Sequence, residues 1–306
     1  MALRIGLIGW GTMGSALGEL IGEGPLPVEL VRIAVRDEQR ARERGLPPGV
    51  DIGPVEEVLA DQTLDAVVEL SGGIEQPLGW ARTTLERGRS YVTANKALLA
   101  NHGGELAALA HRNGTGLLGS ASVGGGTPMI EVVGHLARSG RIERMRGLLN
   151  ATTTFILAAM GGSRGYEDAL LEAQRAGYAE PDPSFDVEGR DAAQKIAVLA
   201  SVAWGRWRPE REVATRGIVG LRVDPGQTMR LVAEADESGM RVEPMELESS
   251  DVMAAASGVE CLLEVRLRDG SEFRISGPGA GGPASIGATY ADLARLVAGE
   301  RPVLFG

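Results

Sequence analysis

Apolar residues near the amino end of this chain come in short unbroken blocks, and between the blocks they recur at helical spacing. Leu3 to Ile8 in "LRIGLIG" reads as a buried strand, and Leu17, Leu20 and Ile21 in "SALGELI" mark one face of a helix. "VELVRIAVRD" predicts a second strand. The alternation continues through "LDAVVELSGG" (strand), "QPLGWARTTLERG" (helix), "SYVTA" (strand), "KALLANHGGELAALAHRNG" (helix) and "TGLLGSASV" (strand). Strands and helices in alternation predict a doubly wound α/β sheet. After "SVGGGTP" the pattern changes. A helix is expected in "PMIEVVGHLARSG" and strands in "RMRGLLNA" and "ECLLEVRLRDGSEFRIS". Between them a Pro-broken, carboxylate-rich stretch, "GYAEPDPSFDVEGRDAAQK", feeds the strongly apolar "IAVLASVAW".

The junction after the first strand carries Gly9, Gly11 and Gly14 as G-x-G-x-x-G. In a strand-turn-helix unit the first glycine permits the turn, the second admits a pyrophosphate to the backbone, and the third lets helix and strand pack closely. The phosphate then sits at the helix amino end. Roughly 20 residues further on, such a unit uses an acid to hold a ribose 2′-hydroxyl or an arginine to accept a 2′-phosphate. This chain offers both, Arg36 and then Asp37, with Arg40 and Arg42 nearby. The arginines favour NADP; Asp37 leaves NAD open.

Composition narrows the partners. A net charge of −10 with dispersed arginines argues against nucleic acid, which needs a concentrated basic face. The single cysteine, Cys261, excludes an intramolecular disulfide. His102, His111 and His135 lack ligand-like spacing and read as packing or surface residues. The opening "MALRIGLIGW" has neither a charged leader nor an apolar span of membrane length, so a cytoplasmic enzyme without a membrane partner is expected.

Of the 31 basic residues, 29 are arginine; only Lys96 and Lys195 are lysine. A general preference for arginine replaces any cation needed only for its charge. It cannot replace one that must give up a proton, because arginine stays protonated in proteins. Lys96 follows the carboxyl end of a predicted strand, where open parallel sheets bind ligands. Lys195 stands four residues after Asp191 on the apolar helix, so the two share a face. Spacing alone is explained by an ordinary surface ion pair. The apolar run after Lys195 argues instead for a partly desolvated pair, and such pairs are usually tied to function.

Taken in order, "GLIGWGTMGS", "AVRD", "GGIE", "YVTANKALLA", "SASVGGGTP", "GLLNATTTFIL", "GYAEPDPSFDVEGRDAAQK" and "SGPGAGGPASIGATYADL" resemble the homoserine dehydrogenase family along almost the whole chain. The family interconverts L-aspartate 4-semialdehyde and L-homoserine with NAD(P)(H). The resemblance implies a Rossmann-type doubly wound dinucleotide-binding domain at 1–127 with 285–306. It implies an α+β substrate and dimerisation domain at 128–284, and so a homodimer. It assigns proton transfer to Lys195, oriented by Asp191, with Lys96 as a second cation near the substrate oxygen. Glu180 and Asp186 would hold the substrate amino group. Cofactor contacts are implied at Gly9, Gly11, Thr12, Met13, Gly14, Arg36, Thr93, Lys96 and Gly279.

Two departures stand out. Ser120 replaces the glutamate that the family places before "ASVGGG" beside a monovalent cation, leaving the backbone carbonyls of Val123, Gly125 and Thr127 as ligands and a weak site at best. Ala151 and Thr154 alter the family's G-T-T-N pattern. They keep open a related dehydrogenase for another small amino or keto acid, or a cofactor-binding chain without activity.

Overall fold

The computed structural model describes residues 1–256, 260–278 and 282–305. The chain divides into two compact units, Met1–Gly126 with Gly281–Gly306, and Thr127–Ala280.

In the first unit the order is β1 (Leu3–Ile8), α1 (Thr12–Glu23), β2 (Val28–Ala34), α2 (Glu38–Glu43), β3 (Asp51–Gly53), α3 (Val55–Ala60), β4 (Ala66–Glu69), α4 (Glu75–Glu86), β5 (Ser90–Thr93), α5 (Lys96–Asn113) and β6 (Leu117–Leu118). Every pairing is parallel, and the strand order is β3-β2-β1-β4-β5-β6. This is the doubly wound arrangement of dinucleotide-binding sheets, whose ligand crevice lies where the order reverses, at β1 and β4. The α/β expectation for this half is borne out. Its core is built from the apolar strand residues Ile5, Leu7, Ile33, Val68 and Val92 together with Leu17 of α1.

The strand expected over "TGLLGSASV" is only two residues long. Ser120–Ser122 turn instead into a short 3-10 segment, in which Ser122 Oγ donates to the Gly119 carbonyl at 2.6 Å. Serine hydroxyls compete in this way with a strand ladder. The expected second strand also stops early, at Ala34, because Asp37 accepts the Arg40 N–H at 3.0 Å and starts a helix.

The second unit runs through α6 (Met129–Ala137), β7 (Ile142–Leu148), α7 (Ala151–Gly161), α8 (Tyr166–Arg175), α9 (Ser184–Val187), α10 (Arg190–Trp204), β8 (Val213–Thr215), β9 (Met229–Asp236), β10 (Met240–Glu246), β11 (Glu260–Leu267) and β12 (Glu272–Pro278). Its sheet order is β12-β11-β7-β9-β10-β8, antiparallel throughout except for the β10–β8 pair. The chain then returns to the first unit as α11 (Gly282–Val297), whose Ile286, Leu293 and Leu296 complete the first unit's core.

Candidate active site

The apolar face of α10 explains how a charged pair comes to be held inside. Ile196, Val198 and Leu199 are each at most 1% exposed, and each such burial contributes about 1.5–3 kcal/mol. Together they offset the desolvation of Lys195 and Asp191, which costs several kcal/mol per ion. The two side chains are 14% and 8% exposed, and Lys195 Nζ lies 2.8 Å from Asp191 Oδ2. Nζ also donates to the Leu149 carbonyl at 2.7 Å. Burial pulls the Lys195 pKa down, but the charge and hydrogen bond of Asp191, with smaller contributions from Cys261 and Asp186, outweigh it, so the net shift is upward. The ammonium form is therefore secure at neutral pH.

Asn150, which caps α7, joins this pair to a second carboxylate. Its Oδ1 accepts the Thr153 N–H at 2.8 Å, which fixes the orientation of the amide because a backbone N–H can only donate. The Nδ2 group then faces two acceptors, Asp186 Oδ1 at 2.7 Å and Asp191 Oδ2 at 2.8 Å. The Thr152 hydroxyl lies 3.1 Å from the other Asp186 oxygen and 2.6 Å from the Tyr178 carbonyl, with one proton to share between the two acceptors. Burial raises the Asp186 pKa, and the neighbouring Asp191 adds to the rise, while Asn150, Thr152 and Lys195 oppose it. Cys261 of β11 is buried, which pushes its thiol up and keeps it uncharged.

Lys195, Asp191 and Asp186 are thus brought into one hydrogen-bonded set. Glu180 is not part of it; it is exposed in the loop between α8 and α9, and its carbonyl accepts Gln174 Nε2 at 3.2 Å. Ala151 opens α7, and Thr154 Oγ1 donates to the Asn150 carbonyl at 3.0 Å. Asn150 was not among the residues expected from sequence. Its signal was an asparagine ahead of "ATTTFIL", a helix-start pattern.

In the first unit the glycine turn has the dimensions of a phosphate cradle. A Cβ on Gly14 would lie 2.1 Å from the Gly9 carbonyl oxygen, and Gly9 itself has φ +103°. Gly11 faces open space, with nothing within 4 Å of a built Cβ. No side chain caps the start of α1 and no acid occupies its first turn, so its amides suit an anion. Thr12 and Met13 are the first residues of that helix. Arg36 is exposed past β2, while Asp37 is occupied in capping α2. Lys96 is the first residue of α5, half-buried, beyond Thr93 at the end of β5. Gly279 lies outside the described residues.

The residues around Ser120 do not fit a charged cation site. Its N–H and its hydroxyl both donate to Asp292 of α11, at 2.9 and 2.6 Å. The Thr127 carbonyl already accepts the Met129 N–H at 2.7 Å. Among the described residues no group of three or more His, Cys, Asp or Glu could hold a metal ion. No helix among them is long and apolar enough to cross a membrane.

Two family models match the chain. "Homoserine dehydrogenase, NAD binding domain" covers residues 9–118, and "Homoserine dehydrogenase" covers 128–294. The homoserine dehydrogenase of Bacillus subtilis is 33% identical over 98% of this chain and 74% of its own length. That of Corynebacterium glutamicum is 35% identical over 95% and 71%. Among solved structures, a homoserine dehydrogenase from Thiobacillus denitrificans superposes with a TM-score of 0.91 at 30% identity, covering 97% of this chain and 73% of that one. A hyperthermophilic archaeal homoserine dehydrogenase in complex with NADPH gives 0.87 at 28% identity, over 99% and 100%. The parallel sheet with its glycine cradle and the lysine–aspartate pair of α10 thus stand in a chain that belongs to the homoserine dehydrogenase family, NAD(P)-dependent oxidoreductases.

Proposed function

We propose that Lys195 is the proton donor at the substrate oxygen when L-aspartate 4-semialdehyde is reduced, and the proton acceptor when L-homoserine is oxidised. One observation carries this reading. Two of the three Nζ protons are directed at Asp191 and the Leu149 carbonyl, so the ammonium is oriented with one proton left to serve a ligand. The nicotinamide supplies the hydride to the aldehyde carbon. Lys195 then gives its proton to the oxygen, and Asp191, which favours the ammonium form, drives reprotonation of the resulting amine. Lys96 is the second cation for the developing alkoxide. Asp186 and Glu180 receive the substrate ammonium.

Gly9, Gly11, Thr12, Met13, Gly14, Arg36, Thr93 and Lys96 hold the dinucleotide. The preference is for NADP, because Asp37 is occupied at the start of α2 and Arg36 is exposed beside it. The enzyme works as a cytoplasmic homodimer. Any monovalent cation at the carbonyls of Val123, Gly125 and Thr127 is bound weakly, since neutral oxygens replace a carboxylate.

Homoserine-dependent reduction of NADP and of NAD tests the reading. Lys195→Arg keeps the charge but removes the transferable proton, so turnover falls by about 100-fold to 10,000-fold while nicotinamide binding survives. Asp191→Asn shares part of the loss. Arg36→Ala raises the KM for NADP far more than that for NAD, and added potassium changes the native rate little. Near-native turnover in Lys195→Arg would remove the proton-transfer assignment.

A further inference from the structure

Glu69, the last residue of β4, is an acid at the end of an otherwise apolar strand, and it is 0% exposed. Its Oε1 accepts the Ser71 N–H at 2.6 Å, the Ser71 hydroxyl at 2.7 Å and the Gly72 N–H at 2.9 Å. Its Oε2 accepts the Thr93 hydroxyl at 2.7 Å. These donors are all uncharged, so the cost of desolvating the carboxylate is met by hydrogen bonds to neutral groups.

The bonds continue into a ring. Thr93 Oγ1 accepts the Asn95 N–H at 3.0 Å, and Asn95 Nδ2 donates to the Gly73 carbonyl at 2.6 Å. Asn95 Oδ1 meanwhile caps α5 by accepting the Leu98 N–H at 3.1 Å, directly beside Lys96. The loop after β4 and the loop after β5 are therefore closed on each other through one carboxylate. The first of these loops also touches the glycine turn: a Cβ on Gly9 would lie 3.0 Å from the Leu70 carbonyl oxygen and 3.2 Å from Ser71 N.

We propose that Glu69 is a positioning residue for hydride transfer. Its Oε1 sets the Ser71–Gly73 loop against the glycine turn that receives the cofactor, and its Oε2, through Thr93 and Asn95, sets the start of α5 and with it Lys96. The inference rests on the cofactor and Lys96 assignments above. A buried hydrogen bond to a charged group is worth enough that its loss, expressed in affinity or rate, amounts to about 10-fold to 100-fold.

The two oxygens predict separable effects. Ser71→Ala weakens NADPH binding, followed by nicotinamide fluorescence, more than it lowers kcat. The Thr93 hydroxyl is spent on Glu69 and Asn95, so any part Thr93 has in holding the dinucleotide is its backbone's, which substitution leaves in place. Thr93→Val therefore lowers kcat more than it weakens NADPH binding, and Thr93→Ser, which keeps the hydroxyl, restores it. Glu69→Gln shows both defects, because a neutral amide cannot accept at both ends. All are measured well below the melting temperature of each variant. If Glu69→Gln does not fold, the Ser71 and Thr93 variants read the same two branches. A lowered melting temperature with native NADPH affinity and native kcat would make Glu69 merely structural and overturn the proposal, as would failure of Thr93→Ser to restore kcat. Lys96→Ala separates the premises. If it is slow while Thr93→Val is not, the Glu69 link fails; if it is native, the Lys96 assignment fails and NADPH affinity in Ser71→Ala and Glu69→Gln decides the remaining branch.

Discussion

Asn150 holds two carboxylates with one amide, and this makes it a control on the ionisation of Asp186. Burial raises the Asp186 pKa and the Asn150 hydrogen bond opposes the rise, because it favours the ionised form. Asn150→Ser keeps an oxygen able to cap α7 but lacks the two amide donors. The Asp186 pKa then climbs further, and the carboxylate is lost at a higher pH as the solution is acidified. The KM for homoserine should accordingly begin to rise at higher pH in the variant than in the native enzyme. A profile of kcat/KM against pH checks this, and an acid limb unmoved or displaced downward would contradict it. Lys195 and Asp191 were legible because their relation is local, four residues on one helix. Asn150 was not, because its partners lie 36 and 41 residues away and only tertiary packing supplies them.

At the level of elements, α9 carries Asp186, and its placement depends on a close backbone approach. A Cβ on Gly217 would lie 2.2 Å from the Val187 carbonyl oxygen and 2.5 Å from Glu188 Cα, while Ile218 N–H donates to that same carbonyl at 2.7 Å. Gly217→Ala therefore drives the end of α9 outward and carries Asp186 away from Asn150 and Thr152. It should cost about 1–3 kcal/mol of stability, as overpacking does, and raise the KM for homoserine. Thermal unfolding and steady-state kinetics check both; an unchanged melt and KM would show that the contact yields freely. The strands of the first unit were readable as apolar runs. Those of the second unit were partly hidden by charge. β9 buries Arg230, which donates to the Met229, Ala254 and Ala256 carbonyls, and Glu234, which pairs with Arg146 at 3.1 Å. β10 contains Pro244, which reads as a strand breaker, yet β8 pairs only with Met240–Val242, so the proline stands beyond that ladder. The pieces α2, β3 and α3 are too short for any periodicity to show.

Over the whole chain the first unit is discontinuous, and α11 is its returning segment. Ser120 joins the two parts through its double hydrogen bond to the buried Asp292. Removing the hydroxyl in Ser120→Ala should cost about 1–3 kcal/mol, the range for leaving a buried acceptor without its partner. A lowered melting temperature, with faster amide exchange in α11 than in β1, is the expected result; an unchanged melt would show that apolar packing alone anchors the helix. This return was legible from resemblance alone, since nothing in the local pattern of "GATYADLARLVAG" says which sheet it covers.

The same discontinuity governs how the protein is made. Synthesis proceeds from the amino end at about 5–20 residues per second, and residues 127–280 intervene between the first segment of the dinucleotide-binding sheet and the helix that completes its core. For roughly 10 to 30 seconds a ribosome therefore carries a parallel sheet with Leu17, Val68 and Val92 lacking the cover of Leu293 and Leu296. The second unit, contiguous in sequence, has no such wait. Nascent chains arrested before residue 282 should thus be captured by hold-type chaperones through the first unit and not through the second.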